Sequence, residues 1–507
     1  MRGFYVYLAV IVGGAAVLAI ELLGTRLIAP FYGVSLYLWS ALISVTLAAL
    51  SCGYLIGGYW ADRGAKLSRF CAIIGVAGLW IAVIPFLRIP VLGAAGAIGL
   101  RAGVLLAALL LFFPPLALLG MVSPYAIRLK ASSLDVVGRT AGNLYAFSTL
   151  ASVVAALVTG FVLIPNVGMY WLVFLIGLVL VITSLLGFIN GKNWRLTAAS
   201  SLVLILLIVL AIVALPSQRP DPEHGVLAVR QSAYAELRVV DREDARYLLI
   251  DGGTHSAVDT ASWSTTFPYV NVLDLSRRFF QQPGDMLTIG LGGGSVAKSF
   301  ARNRWNVEAV EIDPVVTQLA HEFFGFKDSD AKVFEADGRQ FLMTHDKTYD
   351  VIIVDAFGSS FIPFHLVTQE AFGLVKSRLK PDGIVAMNIW SIGWHDEIVN
   401  SLAATLKQQF RHVLALPIAE PPDQFGNLVL MASDRELTPE SEPPVPIDRF
   451  SAEYDQAHAW DNRFEPDTKG ALVLTDAHNP IDIWAERVNL AARTKLRETV
   501  DKQGIAW

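Results

Sequence analysis

The first 215 residues are dominated by long apolar runs, separated by short segments that hold most of the charges. A helix needs roughly 20 apolar residues to cross a bilayer. Runs of that length lie at about 4–23, 37–60, 70–87, 102–122, 142–164, 169–189 and 196–215. Glycines inside them, such as Gly53 and Gly57, are typical of closely packed helices. The pattern predicts a transmembrane helical domain of about seven spans over residues 1–215.

The pattern changes after this region. Residues 216–225 contain three prolines and alternating charges, which predicts a stiff linker. Short strand-like runs broken by charged turns follow, and they predict a small N-terminal β domain over 226–285. From 286 to 507, apolar strand-like runs alternate with helical ones, which predicts a Rossmann-like α/β domain with a mostly parallel sheet.

Several of the predicted strands of this domain end in a glycine-rich turn or an acidic residue. MLTIGLGGGS runs into the glycines from Gly290 onward, VEAVEID ends near Glu311, and the next two strands end at Asp337 and Asp355. Ligands of open α/β sheets bind beyond the carboxyl ends of the strands. We therefore expect these residues to converge on one crevice.

The order of these groups is typical of class I S-adenosylmethionine-dependent folds. Glu311 follows the turn by roughly 20 residues, where a carboxylate can accept both ribose hydroxyls, and Asp337 stands where an adenine would be read. Ser295 replaces a glycine that a dinucleotide turn requires, which makes a pyrophosphate ligand less favoured. The alternative is that these acids are strand-end turn formers and helix caps.

The two parts of the chain differ in charge. Residues 1–215 have 12 Lys/Arg and 3 Asp/Glu, whereas 216–507 have 28 and 42. This acidic second part argues against a nucleic-acid binder. The two cysteines, Cys52 and Cys71, lie in the apolar part, so neither a disulfide scaffold nor a metal site is expected.

The orientation in the membrane is ambiguous. Nine Lys/Arg at the N-terminus and in alternate loops face one side and four face the other, so the positive-inside rule makes the first side cytoplasmic. Seven spans would then put the α/β domain outside, unless a broken or re-entrant helix within 89–122 changed the parity. We nevertheless expect this domain to face the cytoplasm, where its cofactor is made.

Residues 229–433 resemble the spermidine synthase (aminopropyltransferase) family, and the whole chain resembles its bacterial membrane-fused members. The matching pieces are Gln231-Ser232-Ala233-Tyr234, LLIDGG, Pro268-Tyr269, GLGGGS, VEID, EADGRQFL, VIIVDAF and LKPDG. The residues that the resemblance assigns to the donor nucleoside are Gln231, Gly290, Gly292, Glu311, Asp337 and Gly338. It makes Asp355 the central carboxylate and Tyr269 the wall of the acceptor channel, with Tyr234 as a further hydrogen-bonding wall.

The chain also departs from the family. Gly293 occupies the place of an Asp that holds the aminopropyl amine, and the Asp-Ser-Ser-Asp motif becomes Asp355-Ala356-Phe357-Gly358, without the second carboxylate that binds the diamine. An acid two residues after the channel tyrosine becomes Asn271. Glu420 or Asp423 could replace one lost carboxylate at the acceptor.

Three functions follow from these residues. The first is a membrane-integrated aminopropyltransferase that moves an aminopropyl group from decarboxylated S-adenosylmethionine to putrescine or a related amine, without a metal. The second is a methyltransferase, or a lyase releasing methylthioadenosine, that uses intact S-adenosylmethionine. The third is a polyamine transporter or sensor with a non-catalytic nucleoside-binding domain. The expected location is the bacterial inner membrane, in contact with the lipid bilayer and as a homodimer.

Overall fold

The chain folds into two compact units. The computed structural model describes residues 2–32, 36–131, 133, 136–214, 220–357, 363–418, 422–440, 451–489 and 491–492. One unit comprises residues 1–219 together with Gln231–Ala233, and the other comprises the rest of the chain. The predicted domain boundaries at 215, 225 and 285 stay predictions.

The first unit is helical. Its helices are α1 (Arg2–Tyr32), α2 (Leu36–Asp62), α3 (Leu67–Gly96), α4 (Leu100–Lys130), α5 (Val137–Val158), α6 (Ile164–Asn166), α7 (Met169–Asn190) and α8 (Trp194–Ala214). A π-helical turn, Thr159–Leu163, joins α5 to α6. Within the described ranges, 7 helical stretches are long and apolar enough to cross a membrane. The alternative of a broken or re-entrant helix within 89–122 is not what the structure has, because residues 89–96 end α3 and residues 100–122 belong to α4, and both helices are long enough to cross a membrane.

Glycines set the close packing of these helices. A Cβ atom at Gly57 of α2 would lie 2.6 Å from Cα of Met121 in α4. A Cβ atom at Gly78 of α3 would lie 2.7 Å from the carbonyl oxygen of Gly177 in α7. Any larger residue would force these helix pairs apart, which is why small residues mark helix contacts in apolar surroundings.

The outward faces of two helices are largely apolar. In the spanning windows of α5 (with its continuation to Asn166) and α8, only 6% and 11% of the residues are buried. Leu150, Phe161 and Ile212 are among the exposed large side chains. Water would disfavour so large an apolar surface, whereas lipid chains solvate it.

The second unit begins with a small antiparallel sheet of four strands in the order β1-β2-β3-β4. These strands are β1 (Val226–Gln231), β2 (Glu236–Arg242), β3 (Ala245–Ile250) and β4 (Gly253–Asp259). Their inward side chains, including Leu237 and Leu248, pack against Val316 in the helix Pro314–Phe323 and against Phe324, just beyond that helix. The predicted small sheet is therefore formed.

A seven-stranded sheet follows, in the order β10-β11-β9-β8-β5-β6-β7. Its strands are β5 (Asp285–Ile289), β6 (Asn306–Glu311), β7 (Lys332–Glu335), β8 (Tyr349–Val354), β9 (Leu379–Ile392), β10 (His412–Pro417) and β11 (Phe425–Ser433). The helices are α9 (Pro268–Asp274), α10 (Ser295–Arg302), α11 (Pro314–Phe323), α12 (Gly338–Thr344), α13 (Gln369–Ser377), α14 (Glu397–Leu406) and α15 (Ala452–Asp461). Strands β5 to β9 are parallel, and β11 is antiparallel to both of its neighbours, β9 and β10.

Two apolar cores cover the faces of this sheet. One contains Ile352 and Met387 and lies under α12, α13 and α14. The other contains Ile353 and Ala386 and lies under α9 and α10. Because β8 is apolar on both faces, it can only be a central strand, and the residues that follow it reach the carboxyl edge of the sheet. The fold is the predicted Rossmann-like one.

Candidate active site

The turn after β5 needs its glycines for backbone reasons. Gly290, Gly292 and Gly294 have φ values of 97°, 54° and 75°, a region that other residues rarely adopt. A Cβ atom at Gly290 would overlap the backbone carbonyl of Asp355, and one at Gly292 would lie 2.7 Å from Oγ of Ser256. The turn therefore brings bare backbone to the edge of the sheet, directly beside the end of β8.

Gly293 stands at the position where the family carries an acid. Its N–H donates to Oγ of Ser256 at 2.8 Å. A Cβ atom at this position would lie 3.0 Å from the ring of Phe324 and 3.1 Å from Cβ of Ser256. Ser256 and Phe324 thus leave little room for a side chain at this position.

Glu311 ends β6 with its carboxylate turned toward the glycine turn. Its Oε2 accepts from the N–H of Leu291 at 3.0 Å, and its Oε1 accepts from the N–H of Asp313 at 3.0 Å. Burial raises the pKa of Glu311, although these N–H groups counteract the rise. The carboxylate holds the turn and keeps further lone pairs on each oxygen, so it can also accept ribose hydroxyls.

Asp337 is a helix cap, as the alternative interpretation held, and it has a second partner. Its Oδ1 accepts from the N–H of Gln340 at 2.9 Å, and its Oδ2 lies 2.8 Å from Nε2 of His365. Burial opposes ionisation, but these contacts outweigh it and lower the pKa of Asp337. Gly338 begins α12, where a Cβ atom would overlap the side chain of Ile289. A glycine is therefore needed at position 338 for packing. Adenine binding by Asp337 and Gly338 stays a prediction.

Asp355 follows β8 and meets Tyr269 from α9. The Tyr269 hydroxyl donates to Oδ2 of Asp355 at 3.4 Å, and Nδ2 of Asn388 donates to Oδ1 at 3.0 Å. Burial raises the pKa of Asp355 to about 7, although the two hydrogen bonds act in the opposite direction. Burial and the neighbouring Asp355 carboxylate raise the pKa of Tyr269. A carboxyl group with this pKa can exchange a proton near neutral pH.

The sequence interpretation did not identify Asn388 or its neighbour Asn427. Nδ2 of Asn427 donates to Oδ1 of Asn388 at 2.9 Å, which turns the Asn388 amide so that its N–H group faces Asp355. Asn388 is buried in β9 and Asn427 lies in β11. The sequence had one signal for Asn388: it is the single amide within the apolar run IVAMNIW. A buried amide needs hydrogen-bond partners, so this position could have been examined as part of the site.

Helix α9, which carries Tyr269, is held by α15. Nδ2 of Asn271 donates to Oδ2 of Asp455 at 2.7 Å. Nε2 of Gln456 donates to the carbonyl oxygen of Asn271 at 2.9 Å and to Oδ2 of Asp274 at 3.2 Å. A carboxylate on α15 therefore contacts Asn271, in a region from which the sequence predicted no site.

The remaining predicted residues lie in less constrained places. Gln231 ends β1, and Tyr234 follows it with 52% of its surface exposed. Asp423 is exposed in the turn before β11. The carbonyl oxygen of the preceding residue, Pro422, accepts a hydrogen bond from the N–H of Trp394. Glu420 lies outside the described residues. The structure therefore joins Asp355 to Tyr269 and the glycine turn to Glu311, and roles for these other residues stay predictions.

Comparisons with known proteins identify one family. The profile of the spermine/spermidine synthase domain matches residues 271–437. The polyamine aminopropyltransferase of Neisseria meningitidis serogroup A is 32% identical over 222 residues, which is 40% of this chain and 77% of that protein. The enzyme of the same name from Vibrio vulnificus is 29% identical over 219 residues, 41% of this chain and 71% of that protein. A probable spermidine synthase structure from Corynebacterium glutamicum covers 42% of this chain and 81% of its own, with 23% identity and a TM-score of 0.38.

The fold is that of class I S-adenosylmethionine-type transferases, and in the described part of the chain seven long apolar helices precede it. Within that class, the chain belongs to the spermine/spermidine synthase family and is an aminopropyltransferase. The predicted family and enzyme class are confirmed.

Proposed function

We propose that this protein transfers the aminopropyl group of decarboxylated S-adenosylmethionine to a primary amine, with putrescine as the reference acceptor, and releases methylthioadenosine. The observation that supports this most is the placement of Asp355. It lies beside Tyr269 and Asn388 and directly against the glycine turn. One carboxyl group is thus available to the amine at the place where the donor's sulfonium would be.

The reaction is an in-line displacement. The amine nitrogen forms a bond to the aminopropyl carbon next to sulfur, the carbon–sulfur bond breaks, and its electron pair stays on sulfur. The attacking amine must first lose a proton, and Asp355 is the group to accept it, since its pKa of about 7 lies near working pH. Because the leaving group is already good, most of the catalysis is positioning, to which Tyr269 contributes through its hydrogen bond.

The donor nucleoside would lie over the glycine turn. Gly290 and Gly292 leave the backbone open, Glu311 would accept the ribose hydroxyls, and Asp337 with Gly338 would bound the adenine. The fit of this set is supported by the Glu311 carboxylate, which is already oriented toward the turn by two backbone N–H groups. Gln231 would close over the nucleoside, and Tyr234 would line the acceptor channel.

A second candidate function rests on Gly293. Without an acid there, the turn lacks the group that holds an aminopropyl amine, which favours intact S-adenosylmethionine and methyl transfer or release of methylthioadenosine alone. A nucleoside- or polyamine-binding sensor or transporter without turnover is the third candidate.

The products of the purified full-length protein distinguish these functions. With decarboxylated donor and an amine, we expect methylthioadenosine and a lengthened amine in equal amounts, measured by mass spectrometry. S-adenosylhomocysteine from intact donor would instead assign a methyltransferase. Methylthioadenosine without a new amine would assign a lyase, and bound nucleoside without any product would assign a sensor.

We also propose that the seven long helices cross the inner membrane and that the catalytic unit faces the cytoplasm, where the donor is synthesised. Seven spans and the charges of the loops favour the opposite side, so the topology needs a direct test. We expect green fluorescent protein fused at the C-terminus to fluoresce and alkaline phosphatase fused there to be inactive. An active phosphatase fusion would contradict the proposal. A homodimer stays a prediction, which sedimentation in detergent would check.

A further inference from the structure

The loop after β8 brings a histidine to the residues that follow β7. His365 lies in a short 3₁₀ turn, Phe364–Leu366, which precedes α13. Its Nε2 is 2.8 Å from Oδ2 of Asp337, whose other oxygen caps α12. Both side chains are only partly covered, with 34% and 30% of their surfaces exposed. The pair therefore lies at the carboxyl edge of the sheet, where the proposed donor site would bound the adenine.

The direction of this hydrogen bond follows from the charge of the carboxyl group. Burial opposes ionisation of Asp337, but its hydrogen bonds outweigh burial and lower the pKa, so the group is ionised at neutral pH and can only accept. Nε2 of His365 therefore carries the proton and donates to Oδ2. The helix cap engages Oδ1 and His365 engages Oδ2, which fixes the orientation of the carboxylate. Each oxygen of a carboxylate has two lone pairs, so acceptor capacity remains for a ligand.

The backbone that carries the imidazole is held from two other segments. Nη1 of Arg339, in α12, donates to the carbonyl oxygen of His365 at 3.1 Å. Nδ2 of Asn479 donates to the carbonyl oxygen of Phe364 at 2.9 Å. Asp476 in turn holds the Arg339 guanidinium by two hydrogen bonds, with N–O distances of 2.7 and 2.5 Å. These bonds fix the backbone position from which the imidazole reaches Asp337.

The same loop also flanks Gly338. A Cβ atom at Gly338 would lie 3.6 Å from the side chain of Leu366, the residue after His365. Asp337 and Gly338 are the two residues that would bound the adenine in the proposed donor site. The loop after β8 thus contacts both of them, one through the imidazole and the other through an apolar side chain.

Adenine and hypoxanthine differ in the group that a carboxylate at this place would meet. The 6-amino group of adenine donates a hydrogen bond, whereas the 6-oxygen of hypoxanthine only accepts. A carboxylate of fixed orientation attracts the first and repels the second. A carboxylate free to rotate could turn to the N1–H of hypoxanthine instead, so it would discriminate less between the two bases.

We propose that His365 is a positioning residue for the donor's base: by holding the Asp337 carboxylate, it makes the site select adenine over hypoxanthine. The proposal rests on the nucleoside site proposed above and names a determinant of its specificity. A site built to hydrogen-bond an N–H group rejects an analogue that lacks it, because a buried polar group is then left without a partner.

Methylthioadenosine and methylthioinosine make a matched pair of ligands, because they differ only in the base. We expect the full-length protein to bind methylthioadenosine at least about tenfold more tightly, measured by titration calorimetry, since a hydrogen bond to a charged group is lost with methylthioinosine. Equal affinities would overturn the proposal. This comparison uses only the unmodified protein, so a variant that fails to fold leaves it valid.

His365→Ala tests the residue directly. We expect it to reduce the preference for methylthioadenosine about fivefold, and we expect His365→Gln to restore most of it, because an amide N–H can also donate to the carboxylate. His412→Ala is the matched control: His412 is exposed at the start of β10, at the opposite edge of the sheet from β7. Its preference should stay within about twofold. An unchanged preference in His365→Ala, or an equal loss in both alanine variants, would overturn the proposal.

A merely structural role for His365 has a different signature. Asp337→Asn keeps a side chain that can cap α12 but removes the charge, so this variant should itself lose base preference. In the Asp337→Asn background, His365→Ala should change the remaining preference by less than about twofold, because the carboxylate through which His365 acts is gone. A full further loss there would show that His365 acts independently of Asp337 and would overturn the proposal.

These binding measurements separate the role of His365 from the proposed reaction. If methylthioadenosine binds with the expected preference but no amine yields a product, the aminopropyl transfer is wrong and the role of His365 stands. If methylthioadenosine does not bind at all, the nucleoside site is wrong and the role of His365 falls with it.

Discussion

Asp355→Asn is expected to reduce turnover by about 10²- to 10⁴-fold, the usual contribution of a general base. The amide cannot accept the proton of the attacking amine, although it fills the same space beside Tyr269 and Asn388. Binding of methylthioadenosine should survive, because the glycine turn and Glu311 are untouched. Product release measured by mass spectrometry and binding measured by calorimetry check both parts.

Asp467→Asn is the control for this variant, since Asp467 is exposed and hydrogen-bonds only locally, to the N–H of Lys469. It should retain full turnover. Normal turnover in Asp355→Asn would remove Asp355 from the mechanism.

The pH dependence gives a second readout for the same residue. Burial raises the pKa of Asp355 to about 7, and the base must be ionised, so kcat/KM should fall as pH drops below 7 and level off above it. Asn388→Leu removes a donor that stabilises the ionised carboxylate, so the pKa should rise and the profile should move to higher pH by about one unit. A merely structural loss would lower the rate without moving the profile.

Glu311→Gln is expected to weaken methylthioadenosine binding about 10- to 100-fold. The neutral side chain keeps one acceptor oxygen but turns an NH₂ group toward the N–H of Leu291 or of Asp313, so one of the two backbone hydrogen bonds that orient the side chain is lost. Hydrogen bonds to charged groups contribute roughly 1.5–3 kcal/mol, and about 1.4 kcal/mol is a tenfold change in affinity. Titration calorimetry with methylthioadenosine measures this directly.

Glu322→Gln provides the matched control, because Glu322 is exposed on α11 and pairs with Arg230. Its affinity should stay within twofold of the unmodified protein. If Glu311→Gln bound equally well, the nucleoside would have to lie elsewhere, and the turn would have only a structural role.

Local patterns were sufficient for much of this architecture. The helix count followed from the lengths of the apolar runs, because one bilayer crossing requires a fixed length of helix. The parallel strands followed from apolar runs that alternate with helical ones, and Glu311 and Asp355 were identified because each ends such a strand. The antiparallel pairing of β11 with β9 and β10 was not anticipated, since the pairing of strands has no local signal in the sequence.

The sequence by itself determined which segments are apolar, where strands end and which acidic side chains can meet there, since these properties depend on residues close together in the chain. Only the tertiary structure decided which residues these acidic side chains, and others near the site, contact. Asn388 on β9 reaches Asp355, His365 reaches Asp337, and Asp455 on α15 reaches Asn271. Such contacts join residues 28 to 184 positions apart, and they depend on how the sheet and its helices pack in space.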